Sequence, residues 1–148
     1  MCATMLAGCS QAAPPAAPAA AAPTGPLSAT WAAKINAVDT GYPRICVRSK
    51  DARCLTAIRK IMAQADGLHD AITTGHLEAQ YPSTLSYLAE MTRDWRDVQA
   101  NCMRGDVVDT SDGTCLVDVD GIAAHGVDIS GMQPDSVGVL KEDEAAAK

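Results

Sequence analysis

A chain of 148 residues holds one domain at most, and its 18 acidic against 12 basic side chains leave a net charge of −6. That balance excludes general nucleic-acid binding, which needs basic surface to neutralise phosphates. Apolar residues make up 47 %, yet there is no phenylalanine and aromatics total 3 %, so a lean core of Leu, Ile, Val, Met, Ala and two tryptophans calls for staples.

The chain opens with Leu6-Ala7-Gly8-Cys9 and then QAAPPAAPAAAAPTGP over residues 11–26. Small residues such as Ala7 and Gly8 fit a signal-peptidase pocket. The motif resembles the lipobox of bacterial lipoproteins. That resemblance implies a diacylglyceryl group on Cys9, which becomes the first residue after cleavage. Only eight residues precede Cys9, none of them Lys or Arg. A signal peptide has a positive start and about 7–15 apolar residues, so residues 1–8 are expected to be a remnant of a longer one. Residues 9–26 are expected to form the lipidated cysteine and a disordered tether, because proline fixes φ and removes donors. Its sixteen Ala/Pro-rich residues, at about 3 Å each, reach about 50 Å. Two acyl chains make an anchor stable where one is marginal. No apolar run is long enough to span a bilayer. The implied location is the extracytoplasmic face of the cell membrane, held through Cys9.

Four helices follow. Ser28 can cap the first, over about residues 28–39, where Trp31, Ile35 and Val38 recur at steps of four and three. The second starts near Ser49-Lys50-Asp51 and carries the stripe Cys54, Leu55, Ile58, Ile61, Met62, Ala65, Leu68 and Ile72, with Gly75 as a stop. Gly67 inside it argues against a straight helix. The third follows Tyr81-Pro82, with Ser83 as cap and Leu85, Leu88, Met91, Trp95, Val98 and Cys102 on one face. Glu90, Arg93, Asp94, Arg96 and Asp97 point elsewhere, and Gly105 ends the helix. The fourth runs from Cys115 through Val119, Ile122, Gly126 and Ile129; Val117–Asp120 also alternates as a strand would, and helix is preferred. The expected architecture is an all-α up-down bundle of three to four helices over residues 27–131. Residues 132–148 are expected to be a disordered acidic tail.

Short loops make neighbouring helices antiparallel, which gathers Cys46, Cys54, Cys102 and Cys115 at one end of the bundle. In an exported chain, four cysteines imply two disulfides. Cys46–Cys54 with Cys102–Cys115 is the local solution; Cys54–Cys102 with Cys46–Cys115 would staple the helices directly. Loop closure gives about 3 kcal/mol for each local bridge and about 4 for Cys54–Cys102, which does not choose between them. We lean to the local pairing. No spacing typical of zinc is present.

The tether, Trp31, Cys46, Cys54, Tyr81-Pro82 and the pair Cys102 and Cys115 together resemble small Ala-rich lipoproteins and secreted proteins of actinobacteria and their phages, over about residues 28–130. The resemblance implies a fold and lends no activity. By analogy, one version is a phage- or prophage-encoded lipoprotein that blocks a competing phage.

No catalytic residue, cofactor or metal site is assigned. His69 and His76 lie seven apart with Asp66 and Asp70 nearby, but further rigid ligands are missing. Asp118-Val-Asp120-Gly121 fails as an EF-hand loop, because Leu116 and Val127 fall where carboxylates are required. Asp106, Asp109 and Asp112 read as a polar loop, His125 is isolated, and Gly105 of Arg104-Gly105-Asp106 is occupied as a helix terminator. No GxSxG elbow or phosphate loop occurs, so the chain is not expected to be an enzyme. Charge is more informative. Residues 44–60 hold Arg44, Arg48, Lys50, Arg53, Arg59 and Lys60 against Asp51 alone, a local +5. Residues 106–148 hold ten acids against Lys141 and Lys148, a local −8. The basic stretch either neutralises that acidic region within the fold, the favoured account, or contacts an anionic partner. The expected role is binding to an envelope protein or anionic polymer outside the membrane; the alternative is a small-ligand-binding helical module.

Overall fold

The computed structural model describes residues 25–39, 45–47, 50–131 and 138–148. Cys9, Arg44 and Arg48 lie outside the described residues. Among the described residues, five helices of eight residues or more form an up-and-down bundle: α1 (Leu27–Asp39), α2 (Ala52–Thr74), α3 (Pro82–Asp97), α4 (Gly113–Ser130) and a short α5 (Val139–Ala146). A π-helical turn, Val98–Cys102, extends α3. It leads into a two-stranded antiparallel hairpin, β1 (Met103–Arg104) and β2 (Val107–Val108), with Met103 opposite Val108.

Helix α2 is the axis of the core. Asp51 caps it, its carboxylate accepting from the Arg53 backbone N–H at 2.9 Å. Its eight buried side chains are Cys54, Leu55, Ile58, Ile61, Met62, Ala65, Leu68 and Ile72, the stripe read from the 3.6-residue period. Gly67 does not break the helix. A Cβ there would stand 2.7 Å from Cη2 of Trp31, so the missing side chain admits the indole of α1. Lys34 covers that ring, its Nζ 4.0 Å from the centroid. Ile35 and Ile61 meet over Gly126 of α4, joining three helices in one layer.

The disulfides are the local ones, Cys46–Cys54 and Cys102–Cys115, with Cα–Cα distances of 4.8 and 5.5 Å. All four cysteines are buried. The hairpin joins the two closed loops. The Lys50 N–H donates to the Val108 carbonyl, and the buried Thr110 hydroxyl donates to the Cys46 carbonyl at 2.9 Å. The Asp109 N–H donates back to Cys102 at 2.8 Å. Gly105 therefore does not terminate a helix, as expected from sequence. It takes the positive-φ position of the hairpin turn, and the α-helix has already ended at Asp97.

The opposite end departs further from expectation. Residues 138–148 are not a disordered tail: α5 packs against α1, α3 and α4, with Leu140 fully buried. Two consecutive carboxylates explain why. Asp143 accepts from the backbone N–H and the hydroxyl of Thr84, both at 2.8 Å, at the start of α3. Glu144 accepts from the backbone N–H of Ser28 at 2.8 Å and from its hydroxyl at 2.5 Å, at the start of α1. Helix N-termini leave unpaired N–H groups and a partial positive charge, and α5 supplies anions to two of them. Ser28 and Ser83 are thus not the caps: Ser28 is a donor inside the first turn, Ser83 is exposed, and Tyr81 precedes α3 without a side-chain cap bond. The Tyr81 hydroxyl donates to Glu144 at 3.1 Å. Burial pushes its pKa above the ordinary value, and the adjoining Glu144 and Asp143 add to the shift against a backbone hydrogen bond at Leu27.

Removing a buried charged cap leaves orphaned donors at a helix end. Asp143→Ala should lower the unfolding free energy in urea by about 1–3 kcal/mol. Glu142→Ala, exposed on the same helix, should change it by less than about 0.5 kcal/mol. Equal effects would show that α5 contributes through helix formation rather than through capping.

Candidate functional site

Asp51, the α2 cap, also grips Arg53. The guanidinium Nε lies 3.0 Å from Oδ1 and Nη2 lies 2.6 Å from Oδ2. These hydrogen bonds, with the attraction between the charges, raise the Arg53 pKa further. Lys50 pairs with Asp109 of the hairpin at 3.6 Å. So the neutralising account holds for Lys50, whose partner comes from the acidic C-terminal region, while Arg53 is paired within its own segment. Arg59 and Lys60 are exposed and have no ion pair among the described residues.

The helical period sorts these cations. Arg53, Thr56, Ala57 and Lys60 stand at i, i+3, i+4 and i+7, one face of α2; Arg59 lies about 100° away from Lys60. That face borders an open groove of about 380 Å³, closed on its other side by Ala37, Val38 and Ile45. Next to Ile45, Val47 is 65 % exposed on the turn behind the Cys46–Cys54 bridge. Sequence reasoning found the cations but missed the apolar part, because Ile45 and Cys46 are helical over too few described residues to show a period and Val47 lies in the turn after them.

A second groove of about 590 Å³ runs between α2 and α3. Its floor is Ala65, Leu85, Leu88 and Ala89, with Asp66, His69, Thr92 and Arg96 among its walls. His69 is exposed, 3.9 Å from Asp70. His76 lies beyond the end of α2 with φ +54°, so the two histidines do not share a helix face as their spacing suggested.

Between α3 and α4 lies a polar seam that the sequence did not reveal. Asp94, expected to face away from the core, is buried against Gly121, where an added Cβ would come 2.5 Å from its Oδ2. Arg93 Nη2 is 3.3 Å from Asp94 Oδ1. His125 is not isolated. Its Nε2 lies 3.3 Å from Glu90 and 3.8 Å from Asp94, and Tyr87 meets the ring edge-on at 5.4 Å. Its buried Nδ1 has no hydrogen-bond partner among the described residues. Asp118 borders the seam. Burial raises its pKa first, Asp97 and Asp94 add to the shift, and Arg93 opposes them. The gap left by Gly121 is the only sequence trace of this arrangement, and glycine in a helix has many other causes.

The hairpin acids are engaged in local structure. Asp112 caps α4 by accepting from the Thr114 N–H at 2.9 Å, and Asp109 accepts from Ser111. Among the described residues no group of three or more His, Cys, Asp or Glu is arranged to hold a metal ion, and no helix is long and apolar enough to cross a membrane. No protein-family model, curated protein or solved structure matches this chain.

The seam gives a pH-dependent prediction. A carboxyl whose folded pKa is raised contributes stability below its unfolded value, near 3.8, and loses it as pH rises through the folded value. Asp118→Asn should therefore raise the melting temperature at neutral pH, and the gain should vanish below about pH 4. A gain that persists undiminished in acid would show that charge at Asp118 is not its cause.

Proposed function

We propose that this chain is an extracytoplasmic, lipid-anchored helical module that binds a partner at the cell envelope and performs no catalysis of its own. The observation that carries the reading is the closure of Cys46, Cys54, Cys102 and Cys115 into two buried disulfides. Such bonds form and persist where the environment is oxidising. The Leu6-Ala7-Gly8-Cys9 motif and the Ala/Pro-rich stretch behind it support the same address.

A binding role is supported by how the interior is used. The largest buried side chains, among them Tyr81, Ile58, Ile61, Leu68, Met91 and Ile122, fill the space between helices. The grooves described above open to the surface, which suits contact with an extended partner better than enclosure of a small molecule. The second reading, a small-ligand module, draws on the groove between α2 and α3, where Asp66, His69 and Arg96 stand over an apolar floor.

Intact mass of the native protein tests the address. The mature form should begin at Cys9, carry the mass of the acyl groups, and gain four hydrogens on reduction. Cys9→Ser should abolish the lipid mass and leave residues 1–8 uncleaved. A form that keeps residues 1–8 without lipid and holds Cys46, Cys54, Cys102 and Cys115 as free thiols would overturn the reading.

A further inference from the structure

We infer that the face formed by Val47, Lys50 and the α2 positions Arg53, Ala57 and Lys60 docks on an anionic phospholipid surface. This deepens the reading of an envelope-facing module, and rests on that reading for its setting.

Two features coincide there. The first is apolar: Val47 is 65 % exposed two residues after Ile45, which lines the groove with Ala37, Val38 and Ala57. The second is cationic: Arg53 and Lys60 stand along the same groove, and the Lys50 side chain, just before α2, is 63 % exposed. A soluble polyanion would use the cations and leave the valine in water. A neutral apolar partner would use the valine and leave the cations unsatisfied. An anionic phospholipid surface has both a negative headgroup layer and an apolar layer beneath it.

The geometry suits shallow contact. Lysine and arginine rest their methylene stems on apolar surface while the charged ends stay in the headgroup region, which lets Val47 lead inward. The bridge holds Cys46, the neighbour of Val47, against the first turn of α2, so little ordering of that position is needed on contact. Arg53 retains Asp51 and Lys50 retains Asp109, which reduces the local positive charge without cancelling it: three cations, Lys50, Arg53 and Lys60, stand against those two acids, and Lys60 has no ion pair among the described residues. Near an anionic leaflet each such cation strengthens partitioning about fivefold.

The test uses the full 148-residue chain, oxidised, with Cys2→Ser and Cys9→Ser so that no acyl group or stray thiol contributes. It is co-sedimented with vesicles of phosphatidylcholine alone and of phosphatidylcholine mixed with phosphatidylglycerol. The expected result is binding to the mixed vesicles only, released by salt. Lys60→Glu should weaken it about tenfold or more, and Val47→Asp should weaken it comparably. Lys148→Glu, at the opposite end, should leave it unchanged. All three altered positions are exposed, and an unchanged urea midpoint confirms that the variants fold. Equal binding to neutral vesicles, no binding to either, or insensitivity to Lys60→Glu would overturn the inference. So would binding to soluble polyphosphate that Val47→Asp leaves intact, which would put a polyanion in the lipid's place. Because the chain tested is unacylated, failure here leaves the anchoring at Cys9 standing, and failure of the mass experiment leaves this result standing.

Discussion

Two disulfides at one end of the bundle hold together a core too lean to close itself. The buried set contains no phenylalanine and depends on Leu, Ile, Val, Met and one tyrosine, Tyr81. Each bridge closes a short loop, eight and thirteen residues in separation, and removes about 3 kcal/mol of chain freedom from the unfolded state. The hairpin turns two local closures into one unit: Lys50 and Thr110 tie the first bridge's segment to the second's. The α2 start, the α3 end and the α4 start are thereby fixed together. The apolar stripe of α2 then has neighbours on every side.

The other end is held by electrostatics rather than covalent bonds. Asp143 and Glu144 occupy the positive ends of α3 and α1, and Leu140 fills the space beneath them. The last helix of the chain thus completes the first and third. The acidity of the C-terminal region serves two local purposes, capping at this end and the Lys50–Asp109 pair at the other. Arg59 and Lys60 are left with no ion pair among the described residues, and that surplus gives the functional reading its direction.

Periodicity made α2 legible residue by residue, and the spacing of four cysteines made the disulfide end legible as a cluster. What escaped has a common cause. Asp143 and Thr84 are 59 residues apart, and Ser28 and Glu144 are 116 apart, so the pairing that orders α5 leaves no local signature. The segment Lys141-Glu-Asp-Glu144 reads as polar and coreless because its partners are helix ends, not side chains with a period. Asp94 was misplaced for the same reason. A lone carboxylate on a helix is assigned outward unless the glycine opposite it is known, and Gly121 lies on another helix. The basic stretch was visible as composition. Its division into a grooved face bearing Arg53 and Lys60, with Val47 beside it, depends on where the turn after Ile45 comes to rest.

The account stands on covalent closure of the hairpin end. Two bridges at about 3 kcal/mol each approach the whole stability of a typical domain, about 5–15 kcal/mol. The four bridged cysteines are buried, so their reduction must proceed through opening of the fold. The decisive measurement is urea unfolding of the same preparation before and after complete reduction and alkylation of the four cysteines. The account predicts a cooperative transition in the oxidised chain and a chain without stable helical structure once reduced. A reduced chain with the same midpoint and the same helical signal would contradict it.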